Sequence, residues 1–209
     1  MAPPTRDHLL DAAARVFAEH GFRGATTRLI AEKAGVNEVT LFRLFGSKDA
    51  LLGEAIRTRV YEREMVLLPD EPGDARAELT AWATAEYAHI STHRSSIRQG
   101  MCEIGERPEL SRCMAHGPKS AYARLNRYFS RLIKVGRATK DANPLHASAM
   151  LLGSLFADVM GRDMMPEALP PARQAPASYV ELILRAVGYT ARPSTPRRRP
   201  ATARTRRQA

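Results

Sequence analysis

Apolar positions along this chain recur at three- and four-residue steps, and strand-like alternation is absent, so the pattern predicts helices throughout. Between residues 26 and 52 the helices become short and sharply punctuated. From Thr27 to Ala34, Leu29, Ile30 and Ala34 fall at i, i+1 and i+5 and share a buried face. Gly35 then stands where a left-handed residue ends the helix and turns the chain. Val36 is placed to plug the gap, and Asn37 is a good N-cap for the next helix. In that second helix, Val39 to about Phe45, the residues Leu41, Leu44 and Phe45 at i, i+3 and i+4 are expected to face inward. Glu38, Thr40 and Arg43 are left facing outward, with Val39 at the edge. Gly46 stops the helix, and Ser47 with Asp49 opens the next as an N-cap with an early carboxylate. Two short helices joined by a glycine turn have helix-turn-helix geometry, which sets the second helix into the major groove of DNA.

Beyond this head the spacing predicts a long helix from Lys48 to about Val66, ended by the loop at residues 68–73. Another runs from about Ala75 to His93 on Leu79, Trp82, Ala83 and Ile90. A broken helical region, Ser96 to His116, is interrupted by Gly105 and Pro108. Gly117-Pro118 restarts a clean helix to Val135, with Tyr122, Leu125, Phe129 and Leu132 in a stripe. Asn143-Pro144 then opens a helix in which Leu145, Ala149, Met150, Leu151, Leu152, Leu155, Phe156, Val159 and Met160 cover most of the circumference. Ser178 is expected to open a similar helix, closed by Gly188. Helices apolar on nearly all sides are buried on two sides, so their second faces are expected to meet a partner. Ala149, Gly153 and Ala157 at i, i+4 and i+8 would permit close helix approach. The reading is all-α: an N-terminal three-helix helix-turn-helix domain at residues 1–47 and a C-terminal helical ligand-binding and dimerisation domain at 48–190. A disordered arginine- and proline-rich tail follows at 191–209.

Charge sharpens this picture only partly. The formal net charge is +10, but seven arginines lie between Arg192 and Arg207 with no acid, and removing seven leaves +3 for the body. Pro193, Pro196 and Pro200 keep that tail from folding as a helix. A flexible basic arm adds salt-sensitive attraction to phosphate; a merely solubilising tail is the alternative. No apolar segment of eighteen residues and no leader pattern appears, so a cytoplasmic location without membrane insertion is expected. The 2 cysteines, Cys102 and Cys113, lack metal-repeat spacing and are expected to be free thiols.

The head resembles the DNA-binding domain of the TetR family of bacterial transcriptional regulators. The resemblance rests on the helix Leu9 to His20 ending in Gly21-Phe22, on Thr26-Thr27, Ile30-Ala31, Ala34-Gly35-Val36 and Thr40-Leu41-Phe42, and on Phe45 and Ser47-Lys48-Asp49-Ala50-Leu51. It is dense over residues 6–53. By position it implies DNA contacts from Thr27, Arg28, Asn37, Glu38, Val39, Thr40, Phe42, Arg43 and Lys48. Arg28 and Lys48 suit phosphates, and Thr27 and Thr40 suit the backbone or a base edge. Arg43 suits a bidentate contact to guanine, and Glu38 either accepts from a cytosine amine or stays solvated. The family commonly has tyrosine where this chain has Phe42, so a phosphate contact there gives way to packing on sugar or on the head itself. The resemblance further implies a homodimer through the last two helices, a pseudo-palindromic double-stranded DNA operator, and repression relieved by a small molecule. Activation by the same fold, or non-specific nucleic-acid binding through the tail, are the alternatives.

An inducer, expected to be hydrophobic, would lie among the middle helices, where Trp82, Tyr87, Ile90, Met101, Cys102, Met114, Tyr122 and Phe129 supply apolar lining and Glu86, His89 and His93 polar groups. Core packing explains the same stripe. His89 and His93 at i, i+4, with Cys113 and His116, have a weak zinc-like spacing without the glutamate of a HExxH motif, so no metal and no cofactor is expected. No phosphate-cradling glycine loop, GxSxG elbow or paired acidic motif is present, and an enzyme is not expected.

Overall fold

Side-chain caps explain where most of the helices begin. The computed structural model describes residues 6–61, 66–105, 111 and 114–191. Among the described residues the helices are α1 (Arg6–Gly24), α2 (Thr27–Ala34), α3 (Glu38–Phe45), α4 (Lys48–Ala55), α5 (Ala75–Thr92), α6 (Arg94–Ile104), α7 (His116–Lys134), α8 (Pro144–Gly161) and α9 (Ala175–Ala186). Thr26, Asn37, Ser47, Asp74 and Asn143 each accept a hydrogen bond from a first-turn N–H of α2, α3, α4, α5 and α8 respectively, removing donors the helix cannot satisfy itself. Gly35, at φ 68°, ends α2 in the left-handed conformation.

Buried side chains gather in two hydrophobic clusters. One joins Leu9, Val16, Phe17, Ile30, Leu41, Leu51 and Ile56 from α1 to α4 and the turn that follows, with Met114 inserted beside them. The other joins Trp82, Leu125, Tyr128, Phe129, Leu155, Val159, Val180 and Ile183 from α5, α7, α8 and α9. Between them lies α6, which packs on α1 and also touches α5 and α8.

Three expectations are corrected. The helix expected from Lys48 to about Val66 is α-helical only to Ala55, and Ile56–Tyr61 form a π-helical turn; residues 62–65 lie outside the description. In that turn Ile56 and Val60 are both buried while Arg59 reaches back to Asp11 at 2.6 Å and Asp7 at 2.5 Å on α1. The last helix opens at Ala175 rather than Ser178, because Pro176 lies in its first turn, where a missing N–H costs nothing. Leu44 faces solvent at 37% exposure, since in so short a helix Leu41 alone is buried and Phe45 half-buried.

The penultimate helix divides as its all-round apolar sequence implies. Leu151, Leu155 and Val159 are buried, whereas Leu145 and Met150 are 58% and 60% exposed, beside exposed Ala149 and Ala157. Leu182 of α9 is likewise 58% exposed. A Cβ added at Gly153 would meet nothing within 4 Å, so the small-residue groove of α8 is open.

Candidate nucleic-acid interface

The turn between α2 and α3 is set by backbone bonds. Gly35 N–H donates to Glu32 O at 3.1 Å and Val36 N–H to Ala31 O at 2.9 Å, while Val36 packs on the head cluster as expected of a plug. This holds α3 with Leu41 inward and its opposite side clear of the protein. Val39 is 71% exposed, Phe42 46%, and Arg43 and Arg28 are exposed beside them. Val39 therefore occupies the middle of the outward face rather than its edge. Thr40 is half-buried at the flank.

Several of the polar residues expected at DNA have partners within the head. Thr27 Oγ1 donates to Glu38 Oε2 at 2.6 Å, tying the start of α2 to the start of α3. Asn37 is exposed and its Oδ1 accepts from Val39 N–H at 2.9 Å. Half-buried Lys48 donates from Nζ to Phe22 O at 2.7 Å, and its ammonium lies 4.4 Å from the Phe22 ring centroid. Arg6 stacks 4.4 Å over the Phe45 ring and pairs with Glu54, whose carboxyl it holds below the ordinary range.

Phe22 is gripped from the other side as well. Its N–H donates to Glu103 Oε1 of α6 at 2.6 Å, just after Gly21, which kinks α1 with φ 67°. A Cβ at Gly21 would lie 2.3 Å from Gln99 Nε2 and 2.4 Å from Glu103 Oε1, so α6 approaches the kink as closely as glycine allows. At the other end of α6, Arg94 and Arg98 pair with Asp163 at 2.8 and 3.0 Å, just past α8. One helix thus links the end of α8 to Phe22, whose carbonyl Lys48 braces.

The residues expected around a ligand are not gathered in one place. Trp82, Tyr87, Ile90 and Phe129 are buried in the second cluster with Tyr122 against it, and buried Glu86 lies one turn beyond Trp82. Trp82 is 1% exposed and its indole N–H has no hydrogen-bond partner. Met101 and Cys102 are exposed on α6, and Met114 is buried in the first cluster against Gly100. His89 and His93, both half-buried, have ring centroids 4.7 Å apart with the planes tilted at 55°. His116 is exposed, and Cys113 lies outside the described residues. Among the described residues no trio of His, Cys, Asp or Glu is gathered as a metal set.

Sequence reasoning missed a polar hub beside that cluster. Asp158 is 1% exposed; Tyr87 OH and Arg162 Nε donate to its Oδ1 at 2.6 and 2.7 Å, and Tyr179 OH and Arg162 Nη2 to its Oδ2 at 2.7 and 3.0 Å. Arg162 Nη2 also donates to Pro170 O at 2.7 Å. The hub joins α5, α8 and α9. Burial, reinforced by the bond to Asp158, raises the Tyr87 hydroxyl and pushes Tyr179 up to about 12. The readable signal was Asp158 followed four residues later by Arg162 in an otherwise apolar helix.

Residues 9–55 match the family model for bacterial regulatory proteins of the tetR family. Over those residues the chain is similar to the N-terminal DNA-binding domain of that family. At 36% identity over 97 residues it is similar to the transcriptional repressor KstR2 of Rhodococcus jostii, across 44% of this chain and 46% of that protein. At 35–36% identity the chain spans about half the length of the curated relatives it matches. The tetR-type fold extends further. A putative TetR-family regulator from Mesorhizobium loti superposes with TM-score 0.70 at 21% identity, covering 87% of this chain and 95% of that one. FadR from Bacillus subtilis, solved in complex with stearoyl-CoA, superposes with TM-score 0.63 at 17% identity, covering 86% and 97%. Among the described residues no helix is long and apolar enough to cross a membrane.

Proposed function

We propose that the chain is a sequence-specific DNA-binding transcriptional regulator, a homodimeric repressor released from a pseudo-palindromic operator by a small apolar ligand. The observation that carries the reading is α3: its outward face stands free of the protein's own packing, behind a glycine turn and beside exposed Arg28 and Arg43. Residues 1–47 form the reading head, 48–190 the ligand-binding and dimerising body, and 191–209, outside the described residues apart from Ala191, a basic arm that adds salt-dependent phosphate attraction. The exposed apolar side of α8 and α9 is taken up by the same side of a second copy, giving two heads on a twofold axis. KstR2 is named a repressor, and FadR holds a long-chain acyl ligand; both support repression and an apolar inducer here.

Release requires that the ligand prefer the conformation that binds DNA poorly, and DNA must then weaken the ligand by the same factor. The α6 linkage from Asp163 to Phe22 supplies a mechanical route between body and head. Selection of bound sites from a random duplex library by the full chain tests the reading. A symmetric motif with half-sites about one helical turn apart is expected. An asymmetric motif, or binding without sequence preference, would replace this account with a monomeric or a charge-driven binder.

A further inference from the structure

We infer that Val39 is a specificity determinant that reads the methyl group of a thymine in each half-site, while Glu38 is withdrawn from base reading. This rests on the DNA-reading function proposed above and assigns the chemistry of its recognition face. Among the described residues of the head Val39 is the most exposed large apolar one, at 71%, with Phe42 at 46% on the same outward face and Leu44 at 37%. Nothing in the protein's own packing uses that side chain. An isopropyl group in the major groove has one base-edge partner of matching chemistry, the C5-methyl of thymine.

The surrounding residues narrow the reading. Glu38, the neighbour whose carboxylate would accept from a cytosine amine, already accepts from Thr27 Oγ1 at 2.6 Å and is half-buried. Asn37, able to pair with adenine, has its Oδ1 committed to Val39 N–H at 2.9 Å. Arg43 stands one turn beyond Val39 on the same face, and side chains four apart on a helix lie about 5–6 Å from one another. Base pairs are stacked at about 3.4 Å. Arg43 on guanine and Val39 on thymine therefore read positions one or two steps apart.

The test uses full-length chain and duplexes carrying its selected site, in which each thymine is replaced in turn by deoxyuracil, removing one methyl and nothing else. One thymine per half-site, within two pairs of a guanine, is expected to lose about fourfold in affinity on replacement, the weight of a single buried methyl. Val39→Ala, an exposed change to a better helix former, should bind the thymine and uracil duplexes alike. Circular dichroism establishes that the variant is folded. If every uracil duplex binds wild type within twofold of the parent, or if Val39→Ala keeps the full methyl preference, the assignment is wrong. A library that yields no enriched sequence overturns the DNA-reading function itself, and this role with it.

Discussion

At the scale of single residues, the heaviest commitment is Asp158. A carboxylate taken from water is costly unless its lone pairs are filled, and here two tyrosine hydroxyls and a guanidinium fill them. Truncating it removes two hydrogen bonds from Arg162 and one from each of two tyrosine hydroxyls at once. Asp158→Ala is expected to cost about 3–5 kcal/mol, read from urea denaturation midpoints. Arg43, proposed to read DNA, is exposed on the head and belongs to a different sort. Arg43→Ala should leave the melting temperature unchanged but relax preference at one base position per half-site, at about 1–3 kcal/mol in competition binding. Uniform weakening across all sequences would mean that Arg43 touches only phosphate. Lys48 lies between these cases, because its ammonium already braces Phe22 O.

At the scale of elements, α6 is fitted to α1 by a contact that a single methyl group would disturb. Gly21→Ala is expected to lower the melting temperature, since the residue must hold φ 67° and its Cβ would meet Gln99 and Glu103. Glu103→Ala should weaken the mutual effect of ligand and DNA, whereas Glu103→Gln, which keeps an acceptor for Phe22 N–H, should retain it; equal coupling in both variants would remove α6 as the link. The elements were legible in the sequence where chemistry is local. Asn37, Ser47 and Asn143 cap where their side chains predict, and Gly35 turns where it must. What escaped depends on contacts between distant residues. Leu44 has helical spacing for burial but no neighbour to cover it, and the π turn after α4 accompanies Arg59 meeting two acids 48 and 52 residues away. The Thr27–Glu38 bond and the Asp158 hub also required the fold before they could be seen.

For the whole molecule, the paired tyrosines give a pH signature. Tyr87 and Tyr179 have folded values raised above the ordinary 10, Tyr179 to about 12, so the unfolded chain releases their protons first. Their stabilisation is complete below pH 10 and is lost as pH rises toward about 12. Urea midpoints should fall across that window, and Tyr179→Phe should flatten the fall. Association supplies a second global test: Met150→Glu, on the exposed side of α8, should shift a dimer toward monomer in light scattering without unfolding it.

Trp82 is the chain's sole tryptophan, sealed among α5 and its neighbours with an indole N–H that lacks an acceptor. The molecule therefore has one tryptophan fluorophore, confined to the body, while the head is optically dark at tryptophan wavelengths. Emission should be blue-shifted in the resting protein, and an arriving guest that offers the indole an oxygen should move it to the red. Label-free titrations can then follow events in the body alone, even with operator present.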